Sequence, residues 1–169
     1  IAQRYGDHPA VVGWQTDNEL ACHDTTPSAS DSALAAFQGW CEQRYGTIEK
    51  LNEAWGNVFW SMEYPDFQSI DVPYFAVTEV NPSHSLAYRR FSSDQVIRFH
   101  DEMVAIIRKH APGRFVTHNF IPMSDTQTDN YALAKDLDFS SFDNYPLGRT
   151  DLFFADEDTE QFKRYMRTG

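Results

Sequence analysis

Val11-Val12-Gly13-Trp14-Gln15-Thr16-Asp17-Asn18-Glu19 is the stretch on which the fold turns. A short, β-branched apolar run, Val11 to Gln15, starts after Pro9 and gives way to four polar residues. Its length and branching predict a buried strand whose carboxyl end carries polar groups. Upstream, Ile1 to Tyr5 has the character of a last helical turn closed by Gly6.

Downstream the spacing becomes helical. From Ser32, the residues Leu34, Phe37, Cys41 and Tyr45 recur at helical intervals, and Gly46 is a stop signal. Thr47 caps a second short helix with Ile48, Leu51 and Trp55 on one face and Gly56 at its end. Val58 to Val80 has no clean period and is rich in Phe, Tyr and Pro, which predicts a long ordered loop. Pro82 and Ser83 open a long helix to His110 whose buried stripe is expected to be Val96, Phe99, Met103, Val104 and Ile107. Pro112-Gly113 ends it, and Phe115 to Asn119 forms the next strand. A brief helix spans Tyr131 to Lys135, and Phe139 to Phe142 makes a third strand ending in Asp143-Asn144-Tyr145-Pro146. Glu160 to Arg167 starts another helix.

Strands that alternate with helices, and are buried rather than two-faced, mean a parallel α/β sheet. A doubly wound sheet would share this order. Its signature, a Gly-rich phosphate turn after the first strand, is replaced here by Asn-Glu. The polar clusters Asp17-Asn18-Glu19, His118-Asn119 and Asp143-Asn144-Tyr145 all fall at carboxyl ends of strands, the rim where barrel enzymes keep their active sites. Glycoside hydrolysis needs one carboxylic acid to protonate the leaving oxygen and a second carboxylate opposite it. Glu19 is the candidate for the first; a solvated loop glutamate is the competing reading.

Charge narrows the classes. Lys+Arg 14 against Asp+Glu 25 leaves a net −11, which offers no counterion-release term for nucleic acid and no attraction to anionic lipid. No apolar run approaches the roughly 20 residues of a spanning helix. No leader pattern is visible, and localisation stays open with a lean to the cytoplasm. Aromatic residues make up 15% of the chain, and composition favours core packing for them over stacking on sugar rings. Two cysteines, Cys22 and Cys41, do not make a disulfide scaffold and read as buried thiols. His8, His84, His100 and His110 lack ligand-like spacing and read as packing or surface residues. His118 is open between the rim and the wall behind the sheet.

Longer motifs sharpen the picture. Tyr5-Gly6-Asp7-His8-Pro9-Ala10 running through Glu19 closely resembles the acid/base region of family 42 glycoside hydrolases. Tyr45-Gly46-Thr47-Ile48-Glu49, Leu51-Asn52-Glu53-Ala54-Trp55-Gly56 and Phe59-Trp60-Ser61 do likewise, and Ser141 to Pro146 matches a later strand of that family. The resemblance covers essentially the whole chain. It implies an α/β fold that is part of a (β/α)8 TIM barrel, roughly strands four to six with their helices. Residues 1–169 would then be a fragment of a single catalytic domain, because a complete barrel typically needs about 250 residues.

By position, the resemblance implies that Glu19 is the acid/base. Asn18 would bind the sugar 2-hydroxyl, and Tyr145 would contact the nucleophile and the sugar. Asp151 would be a further sugar contact. The nucleophile glutamate would follow the seventh strand, outside this chain. The implied activity is retaining β-galactosidase action on terminal β-galactosides, without cofactor, in a homo-oligomeric parent enzyme. Another glycosidase of the same clan with different sugar specificity, or a non-catalytic sugar-binding module, are the alternatives. Some family members hold a structural zinc through cysteines at the positions of Ser28, Ser30 and Ala33. Those residues supply no thiolates, and Cys22 with His23 does not complete a tetrahedral set, so no zinc is expected.

Overall fold

The computed structural model describes residues 1–74, 76, 78–121 and 127–143. Their elements are α1 (Ala2–Tyr5), β1 (Gly13–Asn18), α2 (Asp31–Tyr45), α3 (Ile48–Trp55), α4 (Pro82–His110), β2 (Phe115–Phe120), α5 (Asn130–Leu133) and β3 (Ser141–Phe142), with short 3-10 turns between. The expected helix at Glu160 to Arg167 lies outside the described residues. The strands form one sheet in the order β1-β2-β3, and both pairings are parallel. Contacts group the described residues into two compact units, one of 1–22, 100–121 and 130–143, the other of 23–99 and 127–129.

The first unit holds the sheet. β1 begins two residues later than the apolar run suggests and reaches Asn18, and Val12 is 70% exposed. Gly13 explains where pairing starts. It pairs with Phe115, whose ring lies 2.2 Å from where a Cβ on Gly13 would sit. Only glycine lets this ring cross the strand there. β2 is the central strand, buried from Val116 to Phe120.

At the amino ends of the strands the C-terminal turn of α4 is latched to the sheet. Arg108 donates to Asp138 Oδ2 at 2.8 Å, to the Asp136 carbonyl at 3.1 Å and to the Arg114 carbonyl at 3.3 Å. The same Asp138 oxygen accepts the Val116 N–H at 2.6 Å. These two donors, Arg108 first, hold the Asp138 carboxyl below its usual range.

The second unit is built around aromatic rings. Phe37, Cys41, Leu51, Trp55, Phe67, Ile70, Tyr88 and Phe91 are buried together. Phe37 lies at the centre, with Tyr88 edge-on at 4.8 Å and Phe91 at 5.4 Å. His84 stacks on Trp55 at 4.8 Å. Burial raises the Cys41 thiol to about 12, so it behaves as a small apolar side chain. α2 is capped by Ser30, whose Oγ accepts the Ala33 N–H at 3.2 Å, two residues ahead of the Ser32 expected from the pattern.

Gly56 closes α3 in the left-handed conformation (φ 68°), where a Cβ is unfavourable. The described residues between Val58 and Val80 form a long loop with short 3-10 turns, as the lack of period suggests, and asparagines order it. Asn52 donates to the Tyr64 carbonyl at 2.8 Å and accepts its N–H at 3.0 Å. Asn81 donates to Asn57 Oδ1 at 2.8 Å and to the Trp55 carbonyl at 2.9 Å.

The stripe of α4 differs from expectation. Phe99 is 52% exposed, whereas Val104 is 3% exposed. His84, Ala87, Tyr88, Phe91, His100 and Val104 carry the buried line, so histidines occupy positions that a search for apolar residues passes over. His84 and His100 are thus packing residues, and their burial lowers their pKa values.

Candidate active site

The carboxyl ends of the three strands meet at the side chain of Asn119. Its Nδ2 donates to Asn18 Oδ1 at 2.9 Å and to Asp143 Oδ2 at 2.7 Å. Its Oδ1 accepts Gln15 Nε2 at 3.0 Å and the Glu19 backbone N–H at 3.2 Å. All the hydrogen-bonding capacity of one carboxamide is used. The amide orientation follows from the partners: a backbone N–H can only donate and a carboxylate can only accept. Polarity then passes to Asn18. Its Oδ1 is committed to Asn119, which leaves its Nδ2 as the donor at the strand end.

A bulge makes this gathering work. Gln15 pairs with Thr117 and Asn18 with Asn119, so β1 spends one residue more than β2 over the same span. In a regular strand Gln15 and Asp17 would share a face. The bulge instead sends Gln15 and Asn18 to the same partner, and Asp17 is left exposed with its carboxylate on the Asn18 N–H at 2.8 Å. Bulges commonly re-aim side chains beside active sites.

Glu19 follows directly. It is partly buried, and its backbone φ is 45°, in the left-handed region that costs a non-glycine residue of order 1–3 kcal/mol and survives where the surroundings over-determine it. Its neighbourhood includes His118, which is 1% exposed. The His118 ring packs edge-on against His100 of α4 at 5.5 Å. It therefore lies in the layer between sheet and helix, and the open question over this histidine is answered for the wall. Its Nε2 accepts the Leu20 N–H at 3.2 Å, and Nδ1 lies 2.9 Å from Thr16 Oγ1. The amide can only donate, so the proton resides on Nδ1, which donates to Thr16 Oγ1, and the Thr16 hydroxyl donates on to the Thr117 carbonyl at 3.4 Å. Burial, with His100 adding to it, pushes the imidazole down to about 4, and the ring is neutral near pH 7.

Of the predicted site residues, Asn18 and Glu19 are brought to one strand end, and Tyr145 and Asp151 lie outside the described residues. Gln15 was passed over because a glutamine in an apolar run carries no motif. The role of Asn119 as hub needed the register to be seen. Where no zinc is expected, the serines are engaged with each other and with a helix end: Ser28 Oγ donates to Ser30 Oγ at 3.1 Å, and Ser30 caps α2. Hydroxyls so engaged do not fit a zinc site, and no group of three or more candidate ligands exists among the described residues. A cavity of about 390 Å3 in the second unit, lined in part by Tyr64, Asp71 and His84, contains none of the predicted site residues.

The family model for glycoside hydrolase family 42, described as beta-galactosidase, matches residues 1–168. The chain belongs to glycoside hydrolase family 42. A beta-galactosidase of Thermus thermophilus is 54% identical over 169 residues, all of this chain and 26% of that protein. A beta-galactosidase, BgaA, of a Thermus species is 52% identical over the same span. Among solved structures, the beta-galactosidase of the psychrophilic Marinomonas ef1 superposes with a TM-score of 0.84 at 49% identity, covering 96% of this chain and 24% of that one. The enzyme of Halorubrum lacusprofundi gives the same TM-score at 42% identity. The chain thus spans about a quarter of the length of the family 42 relatives it matches. It is a partial (β/α)8 barrel with roughly strands four to six, and the candidate site is at the carboxyl ends of those strands.

Proposed function

We propose that the protein containing this chain is a retaining β-galactosidase that acts on terminal β-D-galactosides. Glu19 is the acid/base and the nucleophile glutamate lies outside this chain. The observation that carries the reading is the placement of Asn18 and Glu19 together at the carboxyl end of a barrel strand in a family 42 chain.

In the first step the nucleophile attacks the anomeric carbon from one face. The Glu19 carboxyl gives its proton to the departing glycosidic oxygen, so the aglycone leaves as a neutral alcohol. In the second step the Glu19 carboxylate takes a proton from water, which attacks the same carbon from the opposite face to the nucleophile and releases galactose. Glu19 ends protonated, ready for the next cycle. The Asn18 Nδ2 donor suits the sugar 2-hydroxyl oxygen, a contact that strengthens as oxocarbenium character develops. Tyr145 is assigned to the nucleophile and sugar by the same resemblance, and Asp151 to a further sugar hydroxyl. No cofactor enters these steps.

Residues 1–169 belong in this reading to one catalytic domain. Most of the second unit, residues 23–99, falls in sequence between β1 and the last turns of the helix preceding β2, where barrels elaborate their βα connections. The parent enzyme is proposed to be a homo-oligomer.

The test is the full-length protein on aryl β-galactoside, β-glucoside and α-arabinoside substrates. The galactoside should have the highest kcat/KM. A glucoside preference would move the protein to another specificity within the clan, and inactivity on all three would end the enzymatic reading.

A further inference from the structure

Both peptide N–H groups flanking the Glu19 Cα are held by side chains of β2. The N–H of Glu19 itself donates to Asn119 Oδ1, and the N–H of Leu20 donates to His118 Nε2, each at 3.2 Å. Successive residues of a strand send their side chains to opposite faces, so the two neighbours grip this turn from both sides of the sheet. Rotation about φ of Glu19 swings one of these N–H vectors relative to the other, and so does rotation about ψ. Holding both therefore holds the direction of the Cα–Cβ bond from which the carboxyl is reached. The left-handed φ of 45° at Glu19 is the conformation that needs such holding.

We propose that His118 is a positioning residue for the Glu19 carboxyl, acting through the acceptor lone pair that Nε2 presents to the Leu20 N–H. The proposal rests on the reading of Glu19 as acid/base. His118 touches no substrate from its place behind the sheet, so its effect is on where the proton donor stands. Thr16 is the second part of the device. By accepting Nδ1–H it keeps the lone pair on Nε2, as a hydrogen bond at one ring nitrogen sets the state of the other. An imidazolium, or the other tautomer, would turn an N–H against the Leu20 N–H and loosen one side of the grip.

The test is made in the full-length protein with aryl β-galactosides of graded leaving-group acidity. His118→Asn keeps an amide where Nδ1 stands but has nothing to reach the Leu20 N–H. His118→Gln carries a carbonyl oxygen toward the place of Nε2. A misplaced proton donor hurts most where the leaving group needs the proton. His118→Asn should therefore lower kcat/KM, which reads the first step, by roughly 10- to 100-fold on the poorest leaving groups and far less on the most acidic phenol. His118→Gln should recover most of the loss. An equal loss on every substrate, no loss at all, or a His118→Gln variant no better than His118→Asn would overturn the proposal. If thermal melts show either variant unfolded, Thr16→Val takes their place, with a smaller loss of the same leaving-group dependence expected; a loss independent of leaving group overturns it. Glu19→Ala with azide separates the two ideas. A β-galactosyl azide product there, beside a flat His118→Asn series, removes the role of His118 alone, whereas no azide product removes the reading of Glu19 and the proposal with it.

Discussion

Asn119 Nδ2 stands 2.9 Å from Asn18 Oδ1, bridging β2 to β1 through side chains at the point where the backbone register between them shifts. The oxygen of the same side chain, Asn119 Oδ1, holds the Glu19 N–H. One asparagine in the central strand thus restores, at the rim, the pairing that the bulge interrupts. It also orients the two residues proposed as acid/base and sugar contact. The site is tied to the most buried strand of the sheet, which suits a constellation that must hold its geometry.

Glu19→Ala in the full-length enzyme should slow hydrolysis of galactosides with poor leaving groups by about 10²–10⁴-fold, the usual worth of a positioned proton donor. Activated aryl galactosides should still be cleaved to the covalent intermediate, which then lacks its base. Azide needs no deprotonation and should restore turnover with a β-galactosyl azide as product. NMR of the anomeric centre checks this; an α-azide would mean that the nucleophile, not the acid/base, had been damaged.

Asn119→Asp should be worse than Asn119→Ala. The aspartate is nearly isosteric but replaces the Nδ2 donor with an acceptor that faces Asn18 Oδ1 and the Asp143 carboxylate. Breaking a partly buried network of this kind typically costs roughly 1–3 kcal/mol per unsatisfied group. Urea melts of the two variants give the comparison, and equal stability would show that the network is not held as described.

The pH dependence of stability has a definite sign. His118 is held neutral by burial, with a pKa near 4 against an unfolded value of about 6.5. His100 on α4 lowers it further, whereas Asp17 on β1 and Asp143 beyond β3 act weakly the other way. Between these two pKa values the unfolded chain binds more protons, so stability should fall as pH drops from about 6.5 toward 4 and flatten below. His118→Gln removes one titrating group, and its melting temperature should decline less than that of the parent between pH 7 and pH 4.5. Parallel declines would place the acid sensitivity elsewhere.

Ser30→Ala should cost about 1 kcal/mol through loss of the α2 cap. The full-length protein should contain no stoichiometric zinc bound in the region of Cys22 to Ala33, because hydroxyls at these positions do not replace thiolates. Elemental analysis of dialysed protein checks the second point, and zinc released by mutation of Cys22 would refute it.

The alternation of strands and helices, the cap and stop residues of α3, and the polar strand ends were legible in the chain because they are local. Thr47, Gly56 and Pro82 act within a turn of where they stand, and the period of α2 sets which side chains face inward. Glu19 beside Asn18 stood out as a candidate pair through motif resemblance. The bulge that turns Asn18 rather than Asp17 toward β2 was not, since register is a property of two strands remote in sequence, and only pairing with Thr117 and Asn119 reveals the extra residue. For the same reason Gln15, Asn119 and His118 emerge only in three dimensions, as do the buried histidines of α4, which fill positions that hydropathy gives to apolar residues. What the sequence determined by itself was the set of elements and the candidate for the acidic group. The tertiary structure decided which side chains hold that group, because hydrogen bonds across a sheet depend on register and face, and neither is encoded in any one strand.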